Sequence, residues 1–120
     1  MKLVIPGTLP SLNEIVAESK QHYASYSKMK AHYTSVVAWN AKSQKIPTFE
    51  RADFVITWFV RNRKKNKDNI MAGQKFIFDG LQTAGIIEND GWKQLRDIVH
   101  RFEVDNKNPR IEIEITEVGA

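Results

Sequence analysis

The chain has 120 residues, with 18 Lys+Arg against 14 Asp+Glu, a formal net charge of +4 and a pI near 9.4. Its length argues for a single domain spanning residues 1–120, and surface scaling lets about two-thirds of the extended surface be buried. Hydrophobic content of 42% and charged content of 27% exclude a wholly disordered chain, and the absence of cysteine excludes disulfides, Cys-ligated zinc and a thiol nucleophile. His22, His32 and His100 do not have the spacing of a helical zinc motif. The apolar reach Leu3-Val4-Ile5 before Pro6 is too short for a signal-peptide core. Runs such as Trp58-Phe59-Val60 fall far below a bilayer span. A soluble, cytoplasmic protein with no membrane partner is expected. The modest basic balance permits nucleic acid without requiring it, because small domains commonly carry such a charge for solubility.

In chain order, Lys2 to Ile5 reads as a short strand ended by Pro6-Gly7. Ser11-Leu12-Asn13-Glu14 has the spacing of a capping box, which starts a helix. From Tyr23 to Ala41, Tyr26, Met29, Tyr33, Val36, Val37 and Asn40 recur at helical spacing. Lys28, Lys30, His32 and Lys42 give that helix a basic face. Ala52 to Val60 is a strand with Phe54, Ile56, Trp58 and Val60 on one face and Val55 and Phe59 on the other, the pattern of a central strand. It runs into Arg61-Asn62-Arg63-Lys64-Lys65-Asn66-Lys67, five basic residues in seven positions. A second helix is expected over about Asn69 to Ala84, closed by Gly85, then a turn at Glu88-Asn89-Asp90-Gly91. Ile98 to Val104 and Arg110 to Val118 complete the strands. The order β-α-β-α-β-β defines an α/β (α+β) fold with a small mixed sheet of about four strands packed by two helices.

The chemistry-bearing residues concentrate in one stretch: Asn66-Lys67-Asp68-Asn69, Lys75, Asp79-Gly80-Leu81, Ala84-Gly85-Ile86 and Asn89-Asp90. In that order and spacing they resemble the RusA-type Holliday-junction resolvases, small endodeoxyribonucleases common in phages and prophages. The family pattern is Asp-x-Asp-Asn, a Lys four residues before Asp-(Ala/Gly)-Leu, then Ala-Gly-hydrophobic and an acidic pair ending in Asp. Pro6-Gly7, Ser11-Leu12-Asn13 and Asn108-Pro109-Arg110 also resemble family elements, so the likeness covers nearly the whole chain.

The resemblance implies a Mg²⁺-dependent endonuclease that resolves four-way junction DNA as a homodimer by two symmetric nicks, leaving 5′-phosphate and 3′-hydroxyl ends. It implies Asp68 and Asp90 as metal ligands, with Asn66 as a weak auxiliary oxygen and Glu88 as a spare. Lys75 would stabilise the transition state, and Arg61, Arg63, Lys64, Lys65 and Lys67 would neutralise phosphates. On this reading Asp68 at a strand end and Asp90 in a nearby turn supply the carboxylates.

Two departures from the pattern matter. The first aspartate of Asp-x-Asp is Asn66, which removes a negative charge from a hard-cation site. The Asp68–Lys75 connection is also about three residues longer than the family prototype. On an unbroken helix these residues stand about 10 Å apart along the axis, so Ala72-Gly73 is expected to lie in a loop or distorted turn. Asp79 falls about 16 Å along that helix from Asp68 and is left structural.

Plainer roles exist for each residue. Asp68 suits a helix N-cap, and Asp90 before Gly91 a turn. Lys75 and Asp79 form an i,i+4 surface pair, and the 61–67 run is a solvated edge. Tyr23, Tyr26 and Tyr33 suit the core better than base stacking, and His32 suits the surface. Two alternatives stand beside the resolvase. One is a junction-binding protein weakened in cleavage by Asn66, and the other is a basic scaffold or adaptor without a nucleic-acid role.

Overall fold

Strand β2 (Ala52–Val60) lies between two neighbours, as its two apolar faces anticipate. The computed structural model describes residues 1–119. Around β2 the elements are β1 (Lys2–Pro6), α1 (Leu12–Gln21), α2 (Tyr23–Ser43), α3 (Lys67–Met71), α4 (Gln74–Thr83), β3 (Leu95–Val104) and β4 (Arg110–Glu117). The strands form one mixed sheet in the order β1-β4-β2-β3, with β3 parallel to β2 and the other pairs antiparallel. The expected β-α-β-α-β-β order holds, with each helical region divided in two.

Alternation places Phe54, Ile56 and Trp58 of β2 beside Leu3, Ile5, Ile111, Ile113 and Ile115 on one buried face. Phe76, Ile77, Phe78 and Leu81 of α4 and Val37 and Ala41 of α2 close over that face. Burial of each large side chain contributes about 1.5–3 kcal/mol. No helix among the described residues covers the opposite face. There Arg110 lies over the Phe59 ring at 3.7 Å and bonds Glu112 and Asp105 at 2.7 and 2.8 Å.

The capping box forms. Glu14 accepts from the Ser11 hydroxyl at 2.9 Å and from its amide at 3.4 Å. The long helical region breaks at His22, whose backbone is extended. Only the C-terminal half of α2 enters the core, through Val37, Ala38, Asn40 and Ala41. This corrects the core assignment of Tyr23, which is 82% exposed. Tyr26 is half-buried, and Tyr33 packs against Phe76 at 5.9 Å between ring centroids. His32 is exposed, as expected.

The predicted 69–84 helix is interrupted at Ala72-Gly73. Through the break Gly73, Lys75 and Phe76 donate their amides to Ile70, Ala72 and Gly73, three residues back, in place of the α-helical four. At the far end Gly85 adopts φ 75°, the left-handed value of a residue just past a helix. Gly80 has a different reason. A Cβ there would overlap the Val37 side chain and sit 3.1 Å from the Thr34 carbonyl oxygen, so α4 approaches α2 as closely as it does only because residue 80 has no side chain.

Candidate functional site

Motifs separated by a hundred residues meet at one end of the sheet. The Gly7 amide donates to the Pro109 carbonyl at 3.0 Å, joining Pro6-Gly7 to Asn108-Pro109-Arg110. The Asn13 amide donates to Asn69 Oδ1 at 2.9 Å, and Lys65 Nζ reaches Glu14 at 2.7 Å. The start of α1 is thereby tied to the basic segment after β2. Arg61, Arg63, Lys64, Lys65 and Lys67 are all exposed there, and Lys67 lies 5.6 Å from the centroid of the Phe102 ring.

Between the ends of β2 and β3 opens a cleft of ≈ 600 Å³ whose lining includes Asn66, Asp68 and Glu103, with Arg63, Lys65 and Lys67 around them. Asn66, not Asp68, is the N-cap of α3, and its side chain makes no capping bond. Asp68 is exposed in the first turn and accepts the Asn69 amide at 2.9 Å. Glu103 and Phe102 escape sequence reasoning because only the parallel register, Phe59 to Glu103 and Val60 to Val104, carries them to this cleft.

Asp90 lies elsewhere. Its turn is held at the start of β2, where Gln94 donates its amide to Gly91 at 3.2 Å and accepts the Ala52 amide at 3.0 Å. A parallel β2-helix-β3 crossover leaves from the C-terminal end of one strand and returns at the N-terminal end of the next. The nine residues of β2 span about 26 Å at about 3.3 Å each. One chain therefore does not bring Asp68 and Asp90 together, and the turn is not near the strand end as expected. Glu88 is exposed at the Asp90 end. Among the described residues no three His, Asp or Glu side chains gather as a metal cluster.

Lys75 follows the helix break but does not line the cleft. Its Nζ stands 3.6 Å from Asp79 Oδ1 at the expected i,i+4 spacing, but only the lysine is exposed: the Asp79 side chain is mostly buried, and its Oδ2 has no hydrogen-bond partner. The donors in the cleft are hard oxygens. One or two carboxylates suffice for Mg²⁺ when phosphate and water complete the shell, so this donor set suits a hard divalent cation.

A basic, oxygen-lined cleft at one end of a mixed sheet suits a phosphate-bearing substrate. The family model of endodeoxyribonuclease RusA matches residues 6–116, and the chain belongs to that family. It is therefore an endodeoxyribonuclease, a hydrolase of the class that binds and resolves Holliday junctions in DNA recombination and depends on a divalent metal. No curated protein matches it significantly. No helix among the described residues is long and apolar enough to cross a membrane.

Proposed function

We propose that the chain is a Mg²⁺-dependent resolvase that cuts four-way junctions by paired symmetric nicks as a homodimer, with each metal site shared between two subunits. The carrying observation is the separation of Asp68 and Asp90 to opposite ends of β2. A site using both carboxylates needs Asp68 of one chain and Asp90 of the partner subunit, and two-fold symmetry then supplies two such sites. Asn66 adds a neutral oxygen beside Asp68. When bound, the divalent ion polarises the phosphodiester and lowers the pKa of water at the site. Arg61, Arg63, Lys64, Lys65 and Lys67 hold the flanking phosphates and fix the strand against the cleft. Lys75, whose ammonium is exposed beside Asp79, turns to the developing negative charge of the substrate.

A second reading has the same fold and DNA surface with little or no turnover. It is supported by the neutral Asn66 in a cleft rimmed by three cations, Arg63, Lys65 and Lys67. A labelled mobile four-way junction, incubated with and without Mg²⁺ and run on native and denaturing gels, separates the two. The resolvase reading expects nicks only with Mg²⁺, abolished by Asp68→Asn with binding retained or tightened. Binding without nicks at any Mg²⁺ concentration selects the second. Asn66→Asp restores the acidic pair and should lower the Mg²⁺ concentration for half-maximal cleavage, or create cleavage if none exists. Identical Mg²⁺ titrations would place residue 66 outside the metal shell.

A further inference from the structure

The three tryptophans of the chain sit in three different surroundings. Trp58 is buried in the sheet, and Trp39 stands on α2, 69% exposed. Trp92 is 96% exposed, more than any other large hydrophobic residue among the described residues. An indole left in water forgoes the burial of about 150–250 Å² that an aromatic side chain commonly contributes. Within one chain the ring adds nothing to the core.

The turn that carries Trp92 is pinned. The Asp90 amide donates to Asn89 Oδ1 at 2.9 Å, and the Gln94 and Leu95 amides donate to the Gly91 carbonyl at 3.2 and 3.0 Å. Gln94 itself is buried. The indole is therefore presented to solvent from a fixed backbone. From Asn89 to Gln94 it is the only apolar side chain, with Asp90 on one side and the exposed Lys93 on the other. The core of a protein–protein interface is depleted in charged residues, so these neighbours do not suit a protein partner. A lone indole beside a lysine has the two parts that hold a single nucleotide, a π-face for the base and a cation for the phosphate.

We propose that Trp92 is a base-stacking residue of the nuclease site, taking one unstacked DNA base beside the phosphate held at Asp90. The inference rests on the reading that gives Asp90 to the metal. Trp92 lies two residues from Asp90, a span of at most about 7 Å. Nucleotides follow one another at about 3.4 Å along a strand. A phosphate bound through a metal at Asp90 thus brings the bases on either side of it within reach of the ring. Taking a base out of its stack costs least where pairing is already interrupted, as at the point of strand exchange. Every base has a π-face, so the ring selects local unstacking and not base identity. Trp92 thereby favours junctions over intact duplex at the position that is cut.

The test is a cycle between protein and DNA, read as binding. It uses the Asp68→Asn background with Mg²⁺ present, where strands stay intact and Asp90 keeps its carboxylate. Single abasic sites are stepped through the nucleotides around the exchange point of a four-way junction. Trp92→Ala should weaken binding to the intact junction at least about fivefold, and Trp92→Phe should keep most of the affinity. At one abasic position the parent should lose as much, and Trp92→Ala should lose nothing further there. Trp39→Ala should show no such coupling. The ring is exposed, so circular dichroism should show every variant folded. Undiminished affinity of Trp92→Ala, additive losses at every position, the same coupling for Trp39→Ala, or loss of self-association on Trp92→Ala in sedimentation velocity would each overturn the assignment. Any of these with the junction still bound by the parent leaves the nuclease reading standing. A parent and wild type that bind no junction overturn that reading and this one together.

Discussion

His100 is held from both sides. Trp58 Nε1 donates to its Nδ1 at 2.9 Å, so the proton of the neutral ring sits on Nε2, which faces Gln74 Oε1 at 3.2 Å. Protonating Nδ1 would set two donors against each other, and burial also pushes the His100 pKa below its ordinary value. As pH falls, the unfolded chain therefore takes up this proton first. Stability is undiminished above about pH 6.5, falls below it, and levels off once the folded protein is also protonated. Urea midpoints measured between pH 7 and 5 should decline for the wild type. His100→Gln should lower the midpoint overall and flatten that decline. The window is clear of Asp53, whose carboxyl is held down to about 2 by its hydrogen bonds from Arg96.

Between elements, the α2–α4 contact is set by one missing side chain. Gly80→Ala would ordinarily favour a helix by about 1 kcal/mol, but its Cβ must enter the space of Val37 and crowd the Thr34 carbonyl. Overpacking of this kind costs about 1–3 kcal/mol, and the net effect is destabilisation. Val37→Ala in the same protein should recover part of the loss, a coupling that denaturation of the single and double variants would measure. The segment following β2 makes a different kind of prediction. Lys64, Lys65 and Lys67 changed together to Ala should weaken binding to any DNA and flatten the salt dependence by about 0.9 in log–log slope per lost phosphate contact. Lys65 is partly engaged by Glu14, so its share should be the smallest. An unchanged slope would move the DNA surface to the basic face of α2, with Lys28, Lys30 and Lys42.

At the scale of the whole molecule, the opposite placement of Asp68 and Asp90 makes a prediction that a single-chain site does not. Asp68→Asn and Asp90→Asn should each be inactive alone. Mixed and allowed to exchange subunits, they should regain nicking, because each heterodimer carries one intact pair and one doubly neutral pair. Denaturing gels should show single nicks without full resolution. No activity on mixing would mean that each chain builds its site alone. Much of this was legible beforehand. The alternation in β2 and the capping box at Ser11 and Glu14 are local patterns, because adjacent residues set period and cap, whereas the break at Ala72-Gly73 was expected from the longer Asp68–Lys75 connection relative to the family pattern. The RusA-family motifs were legible in the same way, as residue types at fixed separations. What sequence could not supply was distance in space. Asp68 and Asp90 are 22 positions apart, which reads as proximity along a helix and turn, yet a parallel crossover must carry the chain the length of the sheet between them. Glu103 entered the cleft, Tyr23 left the core, and β3 came to the sheet edge for the same reason: strand order and register are fixed by which faces bury together, a property of the folded chain and not of any one segment.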